Sequence, residues 1–406
     1  MNRRYHVRFP AIIYIALAVL VGVAAANRPN NLLVFIFGIL IAAILTSGLV
    51  SGVMMLGVRV VRLDPRHGRV GEPLSVRYAI TNRNRWLALF NLQVEEMPDG
   101  RAEKRASPGD AWKGYMAPAS AWIMHVGPLE TVHGEAIFWP TRRGRIRLGG
   151  LRVWSSFPLG LIRKSVSTTQ EQFTLIYPEL IPLKLELLRA VTPSGSGGSR
   201  MSRSPGQGSD YFGMREYKPG DSIRQVSWRR TATLDQPIII ERTRPSPPRL
   251  RVVLNLQRPT DQLRFDTADA PDGRTLEEVA ISLAASFLQM AERQGYEVGL
   301  TVLGLDERPT PLRKGHWHVQ KLLGALAALQ LDQPRRDSGG GQMPDAERAG
   351  LVIISPDRAD PRLGASSGPD GALQITARQL KSLRADLSGA SASRLNQRSR
   401  REQALA

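Results

Sequence analysis

The run Gly208–Arg230 sets Asp210, Arg215, Glu216, Lys218, Asp221 and Arg224 among Tyr211, Phe212, Tyr217 and Trp228, with a Pro219-Gly220 turn in the middle. Three chemistries suit such residues. Free carboxylates at Asp210, Glu216 or Asp221 would serve as general acid and base. Cations interleaved with aromatics would hold and stack a nucleic-acid strand. Opposite charges paired with one another would present a fixed pattern to a protein partner. Residues 201–251 carry ten Lys/Arg against five Asp/Glu, namely Asp210, Glu216, Asp221, Asp235 and Glu241. Five carboxylates in a phosphate groove repel the ligand, which disfavours nucleic acid. Ion pairing within the block is the simpler account, with Arg215, Glu216, Asp221 and Arg224 as the paired set. Two readings stay open: an arm that only bridges domains, and a docking surface for a partner.

Local signals divide the block. Tyr217-Lys218-Pro219-Gly220 is a tight turn, Pro fixing φ and Gly supplying a positive φ. Asp221-Ser222-Ile223-Arg224 starts a short helix that carries Ile223, Val226 and Trp228 toward a core. Pro237–Glu241 is a strand. The Ser/Gly/Pro-rich stretch 193–209 is a linker. It lacks the Gly-Lys-Ser/Thr ending of a phosphate loop.

Other candidate sites are weaker. The first strand end of the C-terminal region offers Asn255, Gln257 and Pro259, and the third offers Ser355 and Asp357. One carboxylate among neutral oxygens is a poor divalent-cation site. No metal and no cofactor are therefore expected, and Asn255, Gln257 and Pro259 mark a degenerate position. His316 and His318 point apart on a helix and are not a ligand pair. The chain has no cysteine, which excludes disulfides and thiolate metal sites.

The positioning elements follow from hydropathy. Pro10–Ala26 and Leu32–Val58 carry no charge, and each is near or above the length a bilayer-spanning helix needs. Residues 1–58 read as a transmembrane helical hairpin. Arg3, Arg4 and Arg8 precede it, Arg59, Arg62, Arg66 and Arg69 follow it, and only Arg28 lies between. The positive-inside rule places both ends in the cytoplasm. A cleaved signal peptide ending near Ala24-Ala25-Ala26 is the competing reading, and the second run would then still act as a stop. The net charge of +19 favours anionic partners, among them lipid headgroups meeting Arg59–Arg69.

Residues 59–180 alternate as short strands, at Pro73–Ile80, Leu87–Val94, Ala136–Trp139 and Arg145–Leu148, with turns at Asn82-Arg83-Asn84, Pro98-Asp99-Gly100 and Arg142-Arg143-Gly144. This is the pattern of an Ig-like β-sandwich. Residues 181–249 are linker and arm. From residue 250 to 387, strands at Leu250–Leu256, Tyr296–Leu303 and Leu351–Ile354 alternate with helices. The first helix has a capping box at Thr275 and Glu278, the second covers His316–Leu331, and the third Leu373–Leu387. Such alternation makes an α/β domain with a parallel sheet. Residues 388–406 read as a disordered basic tail.

The run from Asp210 to Glu241 resembles the signature of the bacterial family catalogued as domain of unknown function 58. The matching residues are Phe212, Arg215-Glu216-Tyr217, Pro219-Gly220-Asp221, Ile223-Arg224 and Trp228. The segments around Arg142–Lys164 and Leu175–Leu180, and the N-terminal hairpin, are also similar to that family. The resemblance implies a β-sandwich before the signature and a von Willebrand factor A-like α/β domain after it. It further implies a membrane-anchored partner of MoxR-type AAA+ ATPases, with no established enzymatic activity. Many von Willebrand A domains hold Mg²⁺ through an Asp-x-Ser-x-Ser motif, and Asn255, Gln257 and Pro259 stand in its place here. The expectation is thus a non-enzymatic adaptor or scaffold at the bacterial inner (plasma) membrane, its soluble domains cytoplasmic. Its signature residues are Asp210, Phe212, Arg215, Glu216, Tyr217, Pro219, Gly220, Asp221, Arg224 and Trp228. The rival is an envelope-associated hydrolase using the acids of the block.

Overall fold

The computed structural model describes residues 2–7, 9–27, 30–97, 112–191, 205–234, 236–243, 247–258, 260, 263, 273–335, 349–361, 363 and 372–385. The chain forms two compact units, Met1–Glu179 with Ala327–Leu329, and Leu180–Leu326 with Gln330–Ala406. The Pro98-Asp99-Gly100 turn, residues 193–204 of the linker, Pro259 and the tail from residue 388 lie outside the described residues.

The first unit opens with strand β1 (Asn2–Val7), then helices α1 (Phe9–Asn27) and α2 (Asn31–Met54). Both helices are long and apolar enough to cross a membrane, about 28 and 36 Å at 1.5 Å per residue. The Asn30 side chain starts α2 by accepting from the Leu32 N–H at 2.9 Å, as an N-cap does. Small residues bring the helices together. Ala11 and Ala18 are buried, and a Cβ on Gly22 would lie 2.8 Å from the Phe37 ring, the close approach that small residues permit. Their large apolar side chains, such as Phe9, Leu20, Phe35 and Leu45, point outward and are exposed.

After α2 come β2 (Val58–Arg62), β3 (Gly68–Arg69), β4 (Leu74–Asn82), β5 (Leu89–Met97), β6 (Ser120–Val126), β7 (Thr131–Phe138), β8 (Gly144–Ser155) and β9 (Ile162–Tyr177). One sheet runs β1-β9-β8-β5-β6, with β3 added parallel on β9; the other runs β2-β4-β7. All other pairs are antiparallel. Alternate residues of both sheets fill one core, including Val76, Tyr78, Ile80 and Phe138 from one and Leu92, Val94, Leu148 and Val153 from the other. This is the layered packing that strand alternation dictates. The sequence gives no strand signal before α1, yet β1 forms the sheet edge by pairing Asn2–Val7 with Ser167–Ile162.

The basic residues after the hairpin are spread along the unit. Arg59 is exposed. Arg62 is buried between the sheets. Arg66 precedes β3 and Arg69 lies in it, β3 pairing with Ile176 and Tyr177, whereas the hairpin adjoins Ile162 at the other end of β9. Fourteen residues of strand separate those ends, about 45 Å at ~3.3 Å per residue. Arg69 is also bridged to Glu72 at 2.8 Å.

The second unit contains α3 (Glu186–Val191), β10 (Pro205–Glu216), α4 (Trp228–Leu234), β11 (Ile238–Thr243), β12 (Arg249–Asn255), α5 (Gly273–Arg293), β13 (Glu297–Leu303), α6 (His316–Ala328) up to Leu326, β14 (Gly350–Ser355) and β15 (Ala372–Thr376). Four of these strands make an open parallel sheet in the order β13-β12-β14-β15. Three expectations need correction. Residues 372–376 form an edge strand, not the start of a helix, and a four-residue helix remains at Leu380–Leu383. Pairing with β14 outweighs the weak helical periodicity there. Pro205–Ser209, read as linker, belong to β10. Helix α5 begins at Gly273, so Thr275 lies within its first turn rather than capping it.

Candidate functional site: the signature arm

Strands β10 and β11 form a separate antiparallel ribbon, with Glu216 opposite Ile238, Arg215 opposite Ile239 and Gly213 opposite Glu241. This register sets Arg215 and Glu241 on neighbouring strands. The guanidinium donates from Nε to Glu241 Oε1 at 2.7 Å. Its two terminal nitrogens donate to both Asp221 oxygens at 2.7 and 2.8 Å. The Lys218–Asp221 turn brings Asp221 into position: the Asp221 N–H donates to Lys218 O at 3.0 Å, and Asp221 Oδ2 accepts the Lys218 N–H at 2.9 Å. Gly220, at φ +105, makes the bend that a Cβ would strain. A bidentate arginine–carboxylate pair is the strong, geometrically selective form of ion pair.

The clamp sets the electrostatics of its members. The hydrogen bonds from Arg215 and the Lys218 N–H hold the Asp221 carboxyl at about 2, and the two carboxylates push the Arg215 guanidinium up. An acid depressed in the folded state contributes its stability fully above its ordinary value near 4 and loses it as pH falls through the folded value. The arm should therefore stay closed until pH falls between about 4 and 2. A carboxyl-carbon NMR titration of Asp221 should give a midpoint near 2; an ordinary midpoint would mean that the pair does not form in solution.

The rest of the signature is distributed around the clamp. The Tyr217 N–H donates to Pro237 O at 2.9 Å and the Ser227 N–H to Ile238 O at 2.8 Å, closing the excursion between the strands. Ile223–Gln225 is a single 3-10 turn after Ser222. The Ser227 carbonyl then receives the Arg230 and Thr231 N–H groups at the start of α4. Pro219, Glu216 and Arg224 are exposed, and among the described residues the ion pairs of the arm join Arg215 to Asp221 and Glu241. Asp210 and Phe212 lie on β10, their side chains outside the described residues. The larger correction concerns the apolar residues. Ile223 and Trp228 do not enter a core; Trp228 is 66% exposed, and Tyr211, Met214, Ile223 and Leu234 are exposed with it.

The carboxyl end of the parallel sheet is the other place where such a fold binds ligands, at the switch point between β12 and β14. Asn255 Oδ1 accepts the Gln257 N–H at 3.2 Å, so its oxygen is engaged in its own turn. Asp357 is buried and paired with Arg378. Buried Glu277 on α5 accepts from Thr260 Oγ1 at 2.9 Å and from Arg335 at 2.5 Å. Burial pushes the Glu277 carboxyl up against both partners. Guanidinium groups thus stand beside the two buried carboxylates. Among the described residues no group of three or more His, Cys, Asp or Glu could hold a metal ion. His318 Nε2 bonds Val298 O at 3.0 Å and His316 bonds Gln320 at 2.9 Å, each in a local contact of its own.

A family match spans part of the arm and three strands of the parallel sheet. Residues 213–358 match the family described as "Protein of unknown function DUF58", and the resemblance read from the signature therefore stands. The chain is also similar to the uncharacterized protein YeaD of Bacillus subtilis (strain 168), at 23% identity over 271 residues. That similarity covers 67% of this chain and 62% of YeaD, less than two thirds of the relative's length.

Proposed function

We propose that the chain is a membrane-anchored adaptor that binds protein partners through the signature arm, its second unit being a von Willebrand factor A-like domain. The hairpin α1–α2 would sit in the bacterial plasma membrane with both termini and the soluble units cytoplasmic. The partner would be a MoxR-type AAA+ ATPase. The observation that carries this reading is the closed clamp beside exposed apolar residues. Asp221 has both oxygens committed to Arg215 and a carboxyl held at about 2, far from the near-neutral value that suits general acid–base work. That weighs against hydrolysis through Asp221. Trp228 and Tyr211 are both exposed, and tryptophan and tyrosine are among the residue types that dominate binding energy at protein interfaces.

Affinity purification of the full chain from detergent-solubilised membranes tests the reading. An AAA+ ATPase should co-elute with the wild type and be lost with Asp221→Ala, while the protein stays folded. Retained partner with a lost substrate turnover would favour the hydrolase instead. A reporter fused after Ala406 should read as cytoplasmic, and a periplasmic reading would overturn the orientation.

A further inference from the structure

Three loops of the sandwich gather at the end where the hairpin joins it. Gly57, three residues beyond α2, accepts the Arg83 N–H at 2.9 Å, and Val58 pairs with Asn82. The β4–β5 loop, 83–88, is thereby held against the end of the span. The Leu129 N–H donates to Asn84 O at 3.1 Å, which sets the β6–β7 loop beside it. Buried Asn82 ties both together, its Nδ2 donating to Leu87 O at 2.8 Å and to Gly127 O at 3.0 Å. The β8–β9 loop, 156–161, lies at the same end, since Ser155 Oγ donates to Phe90 O at 2.9 Å and Ile162 pairs with Val7, two residues before α1. Lys164 fastens this corner to the helix, its ammonium donating to Tyr5 Oη at 2.9 Å and to Gly52 O in the last turn of α2 at 3.0 Å.

Each loop carries a large apolar side chain at its tip. Trp86 is 88% exposed, Leu129 64%, and Leu159 is also exposed. Leu129 holds this position at φ +56, a left-handed conformation that is unfavourable for leucine. Glycine or asparagine would fit that backbone more readily. Arg83 and Arg85 are exposed on the same loop as Trp86. Glu130, the one acid within the three loops, turns back to accept the Gly127 N–H at 2.6 Å.

We infer that these three loop tips lie in the interfacial layer of the membrane that holds the hairpin, so that the occupant of this end of the sandwich is a phospholipid surface. The inference rests on the membrane-anchor reading above. Continuity with the span supplies the geometry, because the loops are bonded to residues within a few positions of α1 and α2. The composition supplies the chemistry: tryptophan and leucine partition into the interface, and adjacent arginines meet anionic headgroups. The sandwich would thus be held at a fixed attitude instead of swinging from the end of α2.

The cysteine-free sequence makes a site-by-site test direct. Full-length Trp86→Cys, Leu129→Cys and Leu159→Cys variants are spin-labelled in phosphatidylethanolamine–phosphatidylglycerol vesicles. Collision with dissolved oxygen, which enters lipid, is compared with collision with a water-soluble nickel chelate. Ile39→Cys on the outward face of α2 marks the membrane core, and Glu72→Cys beside β3 marks water. The expected result is an oxygen-to-nickel ratio at all three tips severalfold above that at position 72 and below that at position 39. A lipid-like label at 39 with tips as wet as position 72 would overturn the inference and leave the anchor intact. Tips shielded from both agents would mean that protein, for instance a second copy of the chain, covers this end, and would overturn it as well. A wet label at position 39 would remove the anchor and the inference together.

Discussion

Replacing Glu96 with alanine is expected to cost the first unit about 3–5 kcal/mol, because it leaves a guanidinium buried without a counterion. Arg62 and Glu96 have no solvent exposure at either side chain. Arg62 donates from Nε and from a terminal nitrogen to the two Glu96 oxygens at 2.8 and 2.6 Å. Its remaining nitrogen reaches Gln170 O at 2.9 Å. Tyr78 Oη donates to Glu96 Oε1 at 3.0 Å. Burial pushes the Glu96 carboxyl up while Arg62 opposes it, and burial and the neighbouring carboxylate push the Tyr78 hydroxyl up, keeping it a donor. Arginine cannot shed its proton to relieve the loss. A loss of this size is a large share of the roughly 5–15 kcal/mol that keeps a domain folded. The double replacement Arg62→Met with Glu96→Leu should cost far less than Glu96→Ala alone, since well-packed apolar residues often replace a buried pair without penalty. Thermal and denaturant unfolding of the detergent-solubilised full chain followed by near-ultraviolet circular dichroism checks both. A Glu96→Ala cost below about 1 kcal/mol, the scale of an exposed pair, would mean that the pair is open to water.

That pair is legible in strand parity. Arg62 reads as one of the basic residues flanking a membrane span. Yet it shares parity with Val58 and Val60 on β2, and Glu96 shares parity with Leu92 and Val94 on β5. Two opposite charges, each alone on the apolar face of its strand, point to one another across a core. The helical hairpin, the antiparallel and parallel sheets and most strand positions follow from hydropathy and alternation, which act locally. The edge strands β1 and β15 did not, because their stability comes from a partner strand distant in sequence. In the arm, spacing identified Arg215 and Asp221 but gave Glu216 as the further acid. Glu241 takes that place because cross-strand register, invisible to local spacing, brings it to Arg215. A helix starting at Asp221 would carry Trp228 toward a core, but only the 3-10 turn Ile223–Gln225 forms there and Trp228 stays exposed. The arm thus carries an exposed apolar surface beside its paired charges.

Trp228→Ala is expected to reduce capture of the protein partner by about 30-fold or more, the consequence of losing roughly 2 kcal/mol or more at an interface hot spot. It should change folding stability by no more than about 0.5 kcal/mol, as for other surface replacements. The indole stands 66% exposed at the first position of α4, so little of the arm depends on it. Two groups fix that position from below: the Ser227 N–H bonded to Ile238 O, and Thr231 Oγ1, which accepts the Ile238 N–H at 3.1 Å. Arg215→Ala provides the contrast. It leaves Asp221 and Glu241 as facing carboxylates without their shared cation, so it should loosen the arm and weaken capture together. Purification of the full chain with each variant, paired with its melting curve, separates the two roles. Loss of partner with an unchanged melt at Trp228, and loss of both at Arg215, is the pattern of a rigid clamp presenting a binding residue. Wild-type capture by Trp228→Ala would place the partner elsewhere on the molecule and reduce the clamp to a structural bridge between β10 and β11.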